Sequence, residues 1–212
     1  MKNIYTKSLL LLIAVSIAGC MHSPIPRLYL LHSKRGDADT AADSSSHKGL
    51  IILRPVVMAE YLNRPQIILR KGEREVMHAE FDRWAEPLKT QAHNYLVEAL
   101  ASALPEYNIK SLIRGDKTKH LFEIVVVIHT LDGTPGESVC LRANWQIFSA
   151  AEELRSFAEG KSDLSAICSE PGISGMVAAT EAVLNQLSRE IAIAFAQHHA
   201  PDNAAHENQM GG

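Results

Sequence analysis

Five apolar residues at every second position, Val139, Leu141, Ala143, Trp145 and Ile147 in "SVCLRANWQIF", constrain this chain more than any other feature. A period of two puts all five on one face of an extended strand and the intervening residues on the other. Such a strand requires a sheet with one covered face. The segment before it, "LFEIVVVIHT", is rich in Val and Ile, as a central strand is, and "LDGTPGES" supplies turn chemistry between the two. A further extended stretch, "GKSDLSAIC", is placed to return antiparallel after the polar turn "AAEELRSFAE".

Other strands read from "LYLLHS", from the apolar run Leu50–Leu53 ahead of Pro55, from "QIILR" and "EVMH" around the turn "KGER", and from "YNIKSLI". Two segments have helical periodicity instead. The first starts at Pro87 behind Glu86, keeps Leu88, Ala92, Tyr95, Leu96, Ala99, Leu100 and Ala103 on one face, and stops at Pro105. The second runs from about Met176 to His198 with a stripe of Thr180, Val183, Leu184, Leu187, Ile191, Ala194 and Phe195, and Ser174 reads as its N-cap. This order describes an α+β fold, a mostly antiparallel sheet with two main helices packed on one face. A length of 212 residues with 46% hydrophobic content suits one core, which we place at residues 28–199. The polar stretch 34–49 reads as a surface loop, and residues 200–212 as a disordered tail.

The start of the chain carries Lys2 and Lys7, an apolar run from Leu9 to Ala18, and small residues before Cys20. The run is shorter than the roughly 18 to 20 residues that span a bilayer, so residues 1–19 read as a signal peptide. "IAGC" (Ile17–Cys20) is similar to a bacterial lipobox, in which the cysteine is acylated and becomes the first residue of the mature chain. Several acyl chains anchor firmly where one gives marginal binding. Met21, rather than Asp, follows Cys20, so the resemblance implies a lipid-anchored location at the outer membrane, on its periplasmic face. Residues 20–27 then form a lipidated tether, and the covalent lipid on Cys20 is the one prosthetic group expected, with no cofactor.

The formal charge of −3 moves to about −5 once Lys2 and Lys7 leave with the signal peptide. No basic stripe interleaved with aromatics is present, so nucleic acid is not an expected partner. Cys140 and Cys168 are the remaining thiols, in a compartment that permits pairing. Folding the hairpin about residue 154 sets position 140 opposite 168, and a bridge there is worth roughly 3 kcal/mol in the chain-entropy model. Two free thiols packing as small hydrophobes are the alternative.

Catalysis would need a nucleophile with a base, a metal cluster or a phosphate cradle. "GISG" lacks the spacing of a nucleophile elbow, and neither a P-loop nor a dinucleotide fingerprint occurs. The ten histidines are scattered, with His129 on an apolar strand and none in an H-E-x-x-H arrangement. Glu73, Glu75, Glu80 and Asp82 read as a solvated charge cluster. The expectation is a chain that is not an enzyme, with neither catalytic residues nor a metal site.

Polar and aromatic chemistry concentrates instead in "EYLNRPQIILR" (60–70) and "DRWAEPL" (82–88). Tyr61, Arg64 and Trp84 are the types that anchor interfaces, giving large contact area with a directed polar group; Pro65 and Glu86 stand beside them. Local roles are equally open: Arg64 pairing with Glu86, Pro65 starting a strand, Trp84 capping the core. These two motifs, the closing "LNQLSREIA" and the lipobox resemble the ABC-type transport auxiliary lipoproteins, a family that includes the PqiC lipoprotein of the paraquat-inducible intermembrane transport system. The resemblance runs from about Leu28 to Ala196.

The resemblance implies a non-catalytic outer-membrane subunit of an MCE-type intermembrane lipid transport system, supporting envelope integrity. Its implied partners are an MCE-domain periplasmic tunnel protein, through that an inner-membrane partner, and further copies of itself in a homo-oligomer. A periplasmic lipid-binding carrier lipoprotein is the alternative.

Overall fold

The computed structural model describes residues 24–32, 47–112, 119–150 and 155–199. Residues 1–19, read as a signal peptide, Cys20, residues 34–46 of the stretch 34–49 read as a loop, and residues 200–212, read as a tail, lie outside the described residues; Gly49 already belongs to a strand. Nine strands and two long helices follow one another: β1 (Arg27–Tyr29), β2 (Gly49–Leu53), β3 (Val57–Met58), β4 (Gln66–Arg70), β5 (Val76–Trp84), α1 (Leu88–Ala103), β6 (Tyr107–Ser111), β7 (Phe122–Thr134), β8 (Ser138–Ser149), β9 (Arg155–Ile167) and α2 (Gly172–His199). A one-turn 3-10 helix, Glu60–Leu62, separates β3 from β4.

β7 is the central strand. β8 pairs along one of its edges and β9 continues beyond it. Along the other edge β2, β3 and β4 meet β7 one after another, with Ile51 opposite Phe122, Val57 opposite Val127 and Leu69 opposite Gly133. β6 flanks β2, while β5 and then β1 flank β4.

This topology corrects the expectation of a mostly antiparallel sheet: five strand pairings are parallel and three antiparallel, so the sheet is mixed. Antiparallel pairing occurs where strands follow one another directly, as at the turn Pro135–Glu137, where Gly136 takes φ +79°. The parallel pairings come from long connections that return the chain in the same direction, and composition does not reveal which edge such a connection reaches.

The alternation in β8 holds: Val139, Leu141, Ala143, Trp145 and Ile147 are all buried. α2 packs across β7, β8 and β9, and α1 packs on β6 and α2. Phe195 of α2 meets Tyr107 and Phe122 edge to face, with ring centroids at 5.1 and 4.9 Å, which joins the helix to β6 and β7. Ser174, expected as the N-cap of α2, lies inside its first turn, because the helix already begins at Gly172.

Trp145 donates its indole N–H to Ser162 Oγ at 3.1 Å, and that hydroxyl donates to Glu190 Oε2 of α2 at 2.5 Å. The indole fits because its register partner is Gly160: a Cβ there would stand 2.2 Å from Trp145 Cζ2. Gly160→Ala is expected to push the indole off its rotamer and destabilise the domain by about 1 to 3 kcal/mol, as overpacking does, read as a lowered urea midpoint with Trp145 fluorescence shifted.

Candidate functional site

The segment that follows β3 turns sharply. Leu62 and Asn63 donate their N–H groups to Ala59 and Glu60 carbonyls, and Arg64 N–H reaches Leu62 O. This tight winding sends successive side chains in different directions. Leu62 enters the core, Tyr61 reaches toward β7, and Asn63, Arg64 and Pro65 are left exposed.

Tyr61 meets a polar cluster that the sequence alone does not reveal. Asp132 of β7 has no exposed surface. Its carboxylate accepts from Arg70 Nε at 2.5 Å, from Arg70 Nη2 at 2.8 Å and from the Tyr61 hydroxyl at 2.6 Å. Three charge-assisted hydrogen bonds, two of them from one guanidinium fork, offset the cost of burying the charge. Burial first, and then the bond to Asp132, pushes the Tyr61 hydroxyl up to about 12. Asp132 was hidden because "LDGTPGES" reads as a turn, whereas β7 continues through Leu131–Thr134. A strand alternation carried on past Thr130 was the available signal.

Asp82 is a second correction. Rather than standing in a solvated charge cluster, it is buried, accepting from Arg27 Nη2 at 3.0 Å and from the Tyr29 hydroxyl at 2.9 Å. These bonds fasten β1 to β5. Between the Gln66–Arg83 and Ile68–His78 pairings the register shifts, and Asp82 falls in the irregular stretch of β5.

The two motifs singled out in the sequence meet at the end of β5. Trp84 N–H donates to Pro65 O at 2.7 Å, joining them through the backbone. Ala85 N–H then donates to Tyr29 O, and the Glu86 carbonyl accepts from Gln91 Nε2 at 2.8 Å, which sets the entry of α1 at Pro87. The result is a groove of about 220 Å³ lined by Asn63, Arg64, Pro65, Trp84, Ala85, Glu86 and Pro87. Four of the five candidate contact residues, Arg64, Pro65, Trp84 and Glu86, therefore share one site, and Tyr61 does not join them. Trp84 is the buried floor at 7% exposure. Arg64 and Glu86 are both exposed, and among the described residues neither forms an ion pair.

Cys140 faces Ser165, three residues short of Cys168, because the hairpin folds about residue 152, with Ser149 opposite Arg155, rather than about residue 154. Both thiols are free. Cys168 is buried and donates weakly to Thr134 O, so the bridge between positions 140 and 168 is not formed. Among the described residues no three His, Cys, Asp or Glu side chains gather into a metal-binding group. His129 is exposed at an irregularity in β7.

Comparison with known proteins brings this geometry into a family. The profile of the ABC-type transport auxiliary lipoprotein component matches residues 29–192. The chain belongs to that family. Both motifs of the groove fall inside the matched span, in agreement with the resemblance drawn from them. No curated relative matches this auxiliary lipoprotein. Among solved structures it is similar to an uncharacterized protein at 19% identity, covering 80% of this chain and 98% of that one, with a TM-score of 0.65. It is also similar to a DUF330 protein from Xanthomonas campestris at 14% identity, covering 70% and 87%, with a TM-score of 0.59. At these identities the likeness shows the fold of the auxiliary lipoprotein alone.

The Asp132 cluster yields two expected outcomes. Arg70→Ala strands a fully buried carboxylate and is expected to cost about 3 to 5 kcal/mol in chemical denaturation, more than Tyr61→Phe, for which about 1.5 to 3 kcal/mol is expected. Because the Tyr61 hydroxyl is raised from 10.0 to about 12 on folding, its stabilisation is complete below pH 10 and is lost as pH rises through 12. Stability measured across that window should fall more steeply for the native protein than for Tyr61→Phe; parallel curves would refute the assignment.

Proposed function

We propose that this auxiliary lipoprotein is a non-catalytic outer-membrane subunit of an MCE-type intermembrane lipid transport system, which docks the periplasmic tunnel protein at the outer membrane and so supports envelope integrity. The observation that carries the proposal is the groove at Arg64, Pro65, Trp84 and Glu86. Two sequence-distant motifs build one surface with an aromatic floor, a cation on one wall and an anion on the other. Interfaces are won by such clusters, in which a packed aromatic is ringed by charges free to pair across the contact. Family membership supplies the transport context.

In this reading Cys20 carries the lipid, residues 21–26 set the reach, and the groove contacts either the tunnel protein or a neighbouring copy in a homo-oligomer. The tunnel protein in turn leads to an inner-membrane partner. Lipid that survives purification without detergent, in the absence of an MCE protein, would favour the carrier reading instead.

Two experiments test the proposal. Cys20→Ala is expected to move the protein out of the outer-membrane fraction, and a variant that still fractionates there refutes the anchor. Arg64→Glu combined with Glu86→Lys changes only exposed side chains, so the melting temperature should hold. Recovery of an MCE protein in mild-detergent affinity purification should fall by about tenfold or more. Unchanged recovery removes the groove from the docking reading.

A further inference from the structure

β1 has an unusual pattern for an edge strand. Tyr29 of β1 and Leu31, two residues past its end, pack against the core, yet the alternate positions, Leu28 in β1 and Leu30 just after it, are also apolar: Leu28 is 64% exposed and Leu30 53%. Ile25, just before the strand, is 88% exposed. A strand that reads apolar on both faces belongs where both faces are covered, and here the outward positions are open. Beside Leu28 in register stands Arg83, which is also exposed.

We propose that Ile25, Leu28 and Leu30 form a lipid-contacting edge that rests on the surface of the bilayer in which the Cys20 anchor is inserted. The inference rests on the anchor reading above. The length of chain outside the described residues argues for it. Ile25 lies five residues after Cys20, so at about 3.6 Å per residue the two stand at most about 18 Å apart, and Leu28 at most about 29 Å. Pro24 and Pro26 hold the intervening backbone stiff and lack N–H donors. An acylated Cys20 therefore leaves these three side chains within reach of the acyl–headgroup boundary, where burying apolar surface is favourable and the Arg83 guanidinium would face lipid phosphate. A weak contact suffices, since the anchor supplies the effective concentration. The domain would then lie on the membrane in a defined orientation rather than swing on its tether.

The test uses the acylated protein in vesicles of phosphatidylethanolamine and phosphatidylglycerol brominated in the upper acyl chain. Leu28→Trp and Leu30→Trp are expected to lose emission beyond that of the unsubstituted protein, whose Trp84 and Trp145 are buried. Ile193→Trp, an exposed position on α2, should stay at the unsubstituted level. Equal quenching at positions 28 and 193 overturns the proposal. So does a Leu28→Trp emission that is insensitive to bromine but shifts with protein concentration, which assigns the edge to a second copy. Mass spectrometry of the N-terminal peptide from the same sample separates the two readings: acylated Cys20 without quenching defeats the lipid-contacting edge and spares the anchor, whereas unmodified Cys20 defeats both. Near-ultraviolet circular dichroism identifies any variant that has lost its packing, and Ile25→Trp provides an independent third position.

Discussion

A carboxylate with no access to water must be supplied with donors by the protein, and among the described residues Asp132 takes its donors from one short segment, Tyr61 to Arg70. That demand fixes how the segment crosses the edge of β7. β4 is held near the far end of β7 by the Arg70 fork, and the 3-10 turn is held by the Tyr61 hydroxyl. With both ends pinned, the residues between them have little choice. Leu62 fills the core, and Asn63, Arg64 and Pro65 are pushed outward. The groove at the end of β5 is in this sense a by-product of a buried charge on β7, across β4.

The same economy recurs at Asp82, which fastens the N-terminal strand to β5 through Arg27 and Tyr29. Here the consequence is directional. With β1 paired to β5, the N-terminal strand is held to the sheet rather than left free. The position of the groove relative to β1 then follows from the fold, because Trp84, on the groove floor, pairs in register with Tyr29.

Much of the local structure was legible. The period of two in β8, the helical stripes of α1 and α2 and the turn residues of the β4–β5 hairpin each follow from side-chain geometry within a few residues; strand ends do not, since β5 runs on to Trp84, β7 to Thr134, and β9 begins at Arg155 inside a stretch that reads as a turn. The two interface motifs were legible as unusual chemistry. The direction of the strands was not, because the parallel pairings of β2, β3 and β4 with β7 depend on long connections. Nor was the partner of Cys140, because the chain turns about residue 152 instead of 154, and the position of a turn sets every pair beyond it. Asp82 was read as solvated and Asp132 lay in a stretch read as a turn: an acid among polar residues gives no sign of burial until the fold shows what covers it.

By itself, the sequence determined the two long helices and the central parts of most strands, which of their faces are apolar, and which residues have the chemistry of an interface or a lipid anchor, since periodicity and composition are properties of neighbours in the chain. Only the tertiary structure decided that Arg64, Pro65, Trp84 and Glu86 share one groove, that Tyr61 leaves it for Asp132, and that Leu28 and Leu30 face outward. Those outcomes turn on contacts between residues twenty to seventy positions apart, where the cost of a buried charge and the register of a sheet, rather than local preference, select the arrangement.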